Sequence, residues 1–206
     1  MSWTLIVDTA DEELRVGLGD DALRWWKVVP PDRRPQHGRL LAPVVAEGMK
    51  TLGITPSRLE RIGAVKGPGS FTGLRIGLSF IQGLAFAQRI PVAAPLSLQV
   101  KARAFFAAGK GRPTKVLVFT PGARGKGFFA LYEGPLARPL SPEILQGTLE
   151  EAQATARGEE AFFFTGPVEG KALLQALFSL TRESEDLLSS QDLLPAYGVP
   201  VIFGPR

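Results

Sequence analysis

The sequence contains no cysteine, and that absence removes disulfides, thiolate zinc sites, iron–sulfur clusters and cysteine nucleophiles together. It has a single histidine, His37, so a clustered histidine metal site is excluded and any metal would have to be held mainly by oxygens. Asparagine is missing too, which fits selection against heat-labile side chains and points to a thermophilic source. No apolar stretch reaches the roughly 18 uninterrupted residues of a membrane span, and Met1–Asp8 has neither the basic start nor the apolar centre of a signal peptide. A cytoplasmic protein without membrane contact is expected. Charge of one sign is scarce as well: 24 Lys and Arg stand against 20 Asp and Glu, a formal +4 that does not by itself establish nucleic-acid binding.

What is present is a folded, turn-rich chain of 206 residues, 45% apolar and 21% charged, with 23 glycines and 17 prolines. Alternation predicts strands over Trp3–Thr9, Leu14–Gly19 and Leu23–Val29, an opening meander closed by Pro30, Pro31 and Pro35. His37–Leu52 carries Leu41, Val45, Gly48 and Leu52 near one face and predicts a helix in spite of Pro43. A strand over Ile62–Lys66 runs into Gly67-Pro68-Gly69-Ser70, after which Phe71, Leu74, Leu78, Ile81 and Ala85 recur by three and four, the clearest helical signal in the chain. Further strands are expected over Pro91–Pro95, Lys115–Thr120, Gly127–Glu133 and Ala161–Thr165, with helices over Ser97–Ala108, Glu143–Ala154 and Val168–Leu180. The fold class is α/β, mixed sheet with helices on its faces. Gly109, Gly111 and Pro113 mark a boundary between an amino-terminal lobe, 1–108, and a smaller carboxy-terminal lobe, 109–206.

Three constellations bear on function. The Gly67–Thr72 turn either presents amides to an anion or is a sharp strand-to-helix connection in which Ser70 merely caps the helix; it lacks the Gly-Lys-Ser/Thr ending of the nucleoside-triphosphate loop and the spacing of the dinucleotide fingerprint. Gly73 and Gly77, spaced by four, leave a small-residue face on the helix beside Phe71, Leu74, Leu78 and Ile81; since glycine in a helix costs about 1 kcal/mol relative to alanine, something is expected to pack closely there, from a partner or from within. Asp8, at the end of the first strand, either helps hold hydrated magnesium near phosphates or caps the following turn, and Lys115–Phe129 supplies no second acidic turn for phosphoryl transfer. His37 suits a surface or capping role better than general-base chemistry. Basic residues cluster at Arg24, Lys27, Arg33, Arg34 and Arg39, and again at Lys101, Arg103, Lys110, Arg112, Lys115, Arg124 and Lys126, where they either line a surface facing RNA or an acidic partner or are scattered over several faces.

Leu5–Ala10 (LIVDTA), the pattern of His37, Leu41 and Pro43, Gly67–Gly77 (GPGSFTGLRIG) and Gln82–Ala85 (QGLA) together resemble the TsaB or YeaZ family, strongly over residues 1–108 and weakly beyond. The resemblance implies an actin/Hsp70/sugar-kinase-like (ribonuclease H-like) fold of two α/β lobes with the second reduced. It implies a non-catalytic accessory subunit of a TsaD-type protein in making threonylcarbamoyladenosine beside the tRNA anticodon, with a TsaE-type ATPase joining the complex and a TsaC-type enzyme supplying the activated intermediate. Partner contact, with TsaD or in a homodimer, is implied for the helices of residues 37–52 and 71–88 through Leu41, Val45, Phe71, Gly73, Leu74, Gly77, Leu78 and Ile81, and tRNA is met mainly through the complex. No catalytic residue, metal ligand or intrinsic cofactor is expected; ATP or ADP with magnesium at a partner interface would lie near Asp8, Gly69, Ser70 and Thr72. The family's usual D-A-R-x-G-E-V-Y passage maps onto Gly122–Phe129, keeping Ala123 and Arg124 but replacing both acids by Gly122 and Gly127. Two other classes stay open: an autonomous magnesium-dependent kinase or ATPase using Asp8 and the Gly67–Thr72 turn, and an RNA-binding module using the basic segments.

Overall fold

The computed structural model describes residues 2–32, 36–109, 113–140 and 144–197. Strands β1 (Trp3–Asp8), β2 (Leu14–Gly19) and β3 (Leu23–Val29) form the expected antiparallel meander. All six residues of β1 are buried, as befits a central strand covered on both faces. Helix α1 (His37–Leu52) follows and ends on Gly53, whose left-handed φ of 65° lets its amide reach back to the last turn. Strand β4 is Leu59–Ala64, three residues earlier than the sequence pattern predicts, because it starts directly from the 3₁₀ turn at Pro56–Arg58. Helix α2 (Phe71–Gln88), the two-residue strand β5 (Val92–Ala93) and helix α3 (Ser97–Ala107) complete the amino-terminal half.

Strands β6 (Lys115–Pro121) and β7 (Gly127–Glu133) make a long hairpin, to which the short β8 (Arg138–Pro139) and β9 (Leu145–Gly147) add along β7. The helix expected over 143–154 is displaced. Leu145–Gly147 is strand, and helix α4 is Leu149–Gly158, started by a capping box in which Thr148 and Glu151 satisfy each other's amides; Glu143 lies outside the described residues. Strand β10 (Phe162–Phe164) pairs in parallel with β6, helix α5 runs Gly170–Glu183, and β11 (Leu187–Leu188) closes the chain's last pairing.

The first sheet is ordered β11-β5-β4-β1-β2-β3 and the second β10-β6-β7-β8, so the expected α/β class with two mixed sheets is observed. Helices α1 and α2 cover one face of the first sheet, where Leu41, Val45, Leu78 and Ile81 meet Leu5, Val16 and Ile62. Helix α5 covers the other face: Leu174 and Leu177 pack with Ile6, Leu74 and Val100. Helix α3 is shared, with Val100 and Ala104 turned to α5 while Leu98, Ala102 and Phe105 reach the second sheet. Ala152 and Ala156 of α4 seal the far side of that sheet on Leu117 and Phe129.

The division into residues 1–108 and 109–206 therefore needs correction. The chain leaves the first sheet only for residues 113–165, and α5 and β11 return to it, because α5's apolar stripe is the cover for β1 and β4.

Candidate functional site

The two sheets enclose a cavity of about 1250 Å3. Its first-lobe wall is built from the turn after β1 and the starts of α1 and α2, and its second-lobe wall from the β6–β7 turn, so it sits where four chain reversals meet. Gly69, Ser70 and Thr72 line it, as expected for the Gly67–Thr72 turn. Asp8 does not. It faces a separate pocket of about 40 Å3 with Ser97, Lys101 and Thr120.

Asp8 is already fully engaged. The β1–β2 register places it opposite Arg15, whose Nη1 donates to Oδ2 at 2.8 Å, while Oδ1 accepts the Ala10 amide at 2.9 Å. Arg15 is 4% exposed and its remaining donors reach Asp11 at 2.9 Å and Glu13 at 2.7 Å. Burial pushes the Asp8 carboxyl up from its ordinary value while Arg15 pulls it down; the surrounding acids hold the guanidinium protonated. A guanidinium thus fills the position at the end of β1 where the sequence alone leaves room for a magnesium ligand. Among the described residues no group of three or more His, Asp and Glu side chains is arranged for a metal ion. The signal for this arrangement was the hairpin register, since Arg15 follows Asp8 by seven residues across a short turn.

The Gly67–Thr72 turn is held from several sides. The Ser70 amide donates to Ala10 O at 2.7 Å, Ser97 donates through its amide to Gly67 O at 2.8 Å and through Oγ to Pro68 O at 2.6 Å, and the Ala196 amide donates to Lys66 O at 2.6 Å. Ser70 is the α2 N-cap, its Oγ accepting the Gly73 amide at 3.1 Å. A Cβ on Gly73 would meet the Thr9 carbonyl and one on Gly77 the Thr9 hydroxyl. The paired glycines are therefore used from within: they let α2 lie against the turn after β1. Lys101, whose ammonium burial pushes down, donates to Thr120 at 2.9 Å and so links α3 to β6.

The expected partner-contact residues need the same correction. Leu41, Val45, Gly73, Leu74, Gly77, Leu78 and Ile81 are buried, because the three-and-four periodicity of α1 and α2 marks the face against the sheet. Phe71 is 47% exposed, but it stacks on Tyr197 at 4.9 Å and Arg75 lies over its ring. The outward faces carry different residues. On α1 these are Ala42, Pro43 and Ala46, and on α2 Ser79, Gly83 and Phe86, with Phe86 70% exposed and nothing within 4 Å of a Cβ placed on Gly83. The missed signal is that α2 has one charge, Arg75, in 18 residues.

Nor do the basic segments form one surface. Arg24 pairs with Asp20, Lys27 with Glu47, Arg103 with Glu183 and Lys115 with Glu159. Lys101 is turned inward, while Arg33, Arg34, Lys110 and Arg112 lie outside the described residues. Arg124 and Lys126 have no ion-pair partner among the described residues and stand at the cavity wall.

Residues 27–134, just over half of the chain, match the family described as TsaD, tRNA N6-adenosine threonylcarbamoyltransferase. Over 203 residues the chain is 27% identical to the tRNA threonylcarbamoyladenosine biosynthesis protein TsaB of Escherichia coli, covering 93% of this chain and 84% of that protein. It is 29% identical over 151 residues to the tRNA N6-adenosine threonylcarbamoyltransferase of Nitratidesulfovibrio vulgaris strain DP4, covering 71% of this chain but only 39% of that protein. Among solved structures, YeaZ from Pseudomonas aeruginosa superposes with a TM-score of 0.76 at 20% identity, covering 95% of this chain and all of that one, which is a likeness of fold. The expected α/β fold with two mixed sheets is thus observed, and it is the fold of YeaZ. With the family match spanning the meander's end, α1, the Gly67–Thr72 turn and the β6–β7 hairpin, the chain belongs to the family described as TsaD, tRNA N6-adenosine threonylcarbamoyltransferase, and is similar over most of its length to TsaB.

Proposed function

We propose that this protein is a non-catalytic accessory subunit that binds a TsaD-type protein and activates it for threonylcarbamoyl transfer to tRNA adenosine. The observation that carries this reading is the outward face of α1 and α2, where Ala42, Ala46, Ser79 and Gly83 permit close helix approach and Phe86 supplies an anchor. Two such helices laid on two of a partner bury an area of the order needed for a stable interface, about 1,200 Å2 or more. The Asp8–Arg15 pair supports the non-catalytic part, since a carboxylate with both oxygens committed is not free to organise a magnesium-bound phosphate. That pair also weighs against the autonomous kinase or ATPase.

The same face serves self-association when the partner is absent. A TsaE-type ATPase and tRNA are met through the complex, and ATP or ADP with magnesium is held at the shared interface. The test is size-resolved mass measurement of the chain alone and with its organism's TsaD-type protein. Wild type forms a defined heteromer; Gly83→Arg and Ala46→Glu, both on open surface, lose it while keeping their melting temperature. A heteromer that persists in both folded variants overturns the assignment of this face, and no heteromer with active partner protein overturns the role.

A further inference from the structure

The outward faces of α1 and α2 carry a charge pattern as well as an apolar one. On α1 the exposed residues Arg39, Ala42, Pro43, Ala46 and Lys50 recur by three and four and form one stripe. On α2 the exposed Arg75, Ser79, Gly83 and Phe86 do the same, and Arg89, the residue that caps the helix, continues the line. Each stripe is small or apolar at its centre and cationic at both ends. The stripes lie alongside each other: a Cβ on Gly38 would stand 3.7 Å from Ile76, and α2 also packs on the 3₁₀ turn after α1, which adds the exposed Arg58.

No free acid interrupts this face. Glu47 is the single acid of the two helices, and Lys27 of β3 holds it at 2.6 Å. Arg39 donates to the Gln36 amide oxygen at 2.8 Å and Arg75 lies over the Phe71 ring, so both have neutral partners that leave their charge uncancelled. Lys50, Arg58 and Arg89 have no ion-pair partner among the described residues. Lys50 and Arg89 suit the carboxy-terminal dipole ends of their own helices. Arg39 stands in the first turn of α1, where the dipole opposes a cation, so helix stability does not account for it.

We infer that the partner surface received by α1 and α2 is acidic at its margins around an apolar centre, and that the cations favour this unlike partner over a second copy of the chain. The inference rests on the accessory-subunit reading and names the chemistry of its partner. In a two-fold dimer the face meets itself, so cations that bracket both stripes meet cations whichever way the helices cross. A partner with carboxylates at the matching places removes that repulsion and is steered to the face from a distance. The small residues between the cations suit a helix; a phosphate backbone would leave that centre uncovered.

Association of the full chain with its organism's TsaD-type protein, and with itself, is measured by sedimentation at about 50 mM and about 500 mM NaCl, which differ strongly in screening. The heteromer is expected to weaken about tenfold or more as salt rises, while self-association, the weaker of the two at low salt, tightens. Arg39→Glu/Arg75→Glu places acids in the amino-terminal halves of the helices, where the dipole favours them. It should keep its melting temperature, weaken the heteromer about tenfold at low salt and leave self-association no weaker. Lys50→Gln/Arg89→Gln, at the other end of the stripes, should weaken the heteromer in the same direction and serves should the first variant lose its fold. A heteromer of equal affinity at both salt concentrations, one unchanged in the folded variants, or self-association tighter than the heteromer at low salt overturns the inference and leaves the accessory reading standing. No heteromer at either concentration with active partner protein overturns that reading and the inference with it. Titration of the chain alone with tRNA separates the remaining class: tRNA binding lost in the variants, beside a salt-independent heteromer, assigns the cations to nucleic acid and overturns the inference as well.

Discussion

Helices α2 and α4 each cover a sheet, one in each lobe, and they are made for different surroundings. Helix α4 is complete by itself: Thr148 and Glu151 cap it, Glu150 and Glu151 meet its amino end, Arg157 its last turn, and only Ala152 and Ala156 are buried. Helix α2 buries Leu74, Leu78 and Ile81 on one side and still presents Phe86 on the other, with no acid in its first turn and no base in its last. A helix finished for solvent needs no partner; one with an exposed phenylalanine and an open glycine on its outer side has a second face that one could cover. The two helices thus differ in how much of their own surface they finish.

The largest expected effect lies beneath both helices. Arg15→Met leaves Asp8 buried without its counter-charge and should cost about 3–5 kcal/mol in urea unfolding, with Arg15→Lys intermediate. If Arg15→Met unfolds like wild type, the pair is not the organiser of the turn after β1. Next comes the inner face of α2: Leu74→Ala should cost about 2–5 kcal/mol while heteromer formation by the folded fraction is unchanged. Gly77→Val should fail in folding before it fails in assembly, because its side chain would run into Thr9. On the outer face the order reverses. Phe86→Ser should change stability by no more than about 0.5 kcal/mol yet weaken partner binding by an order of magnitude or more, read by titration calorimetry. For α4, Thr148→Ala should cost about 1 kcal/mol and leave partner affinity alone; an affinity change there would break the contrast between the helices.

The smallest effect is electrostatic. The Arg24 side chain holds the Asp20 carboxyl down at about 2. A lowered folded-state value stabilises above the unfolded carboxylate value and is lost as pH falls towards the folded one. Asp20→Asn should therefore flatten the acid limb of the stability curve between about pH 4 and pH 2 and leave neutral pH nearly untouched. Melting well above about 65 °C would support the thermophilic source suggested by the missing asparagines.

Much of the fold was legible because its signals are local. The β1–β3 meander, α1, α2, α3 and the β6–β7 hairpin stand close to where periodicity puts them. Strands β8 and β11, two residues each, are too short to show a period and exist only by pairing. The segment before α4 was misread because Ile144 and Leu145 continue the apolar spacing of a helix that in fact starts only after Thr148. At the site, Ser70 as a cap was readable from its place before an apolar run, whereas the answer to Asp8 required the strand opposite it.

By itself the sequence determined the alternation of strands and helices, the exclusion of cysteine and histidine-cluster chemistry, and the glycine-rich turn that identifies the family, since each depends on residues close together in the chain. Only the tertiary structure decided that the regular stripe of α2 is core and its irregular face is surface, that α5 returns to the first sheet, and that Arg15 answers Asp8. Those outcomes depend on which surfaces the assembled sheets leave uncovered, and no window along the chain contains both sides of such a contact.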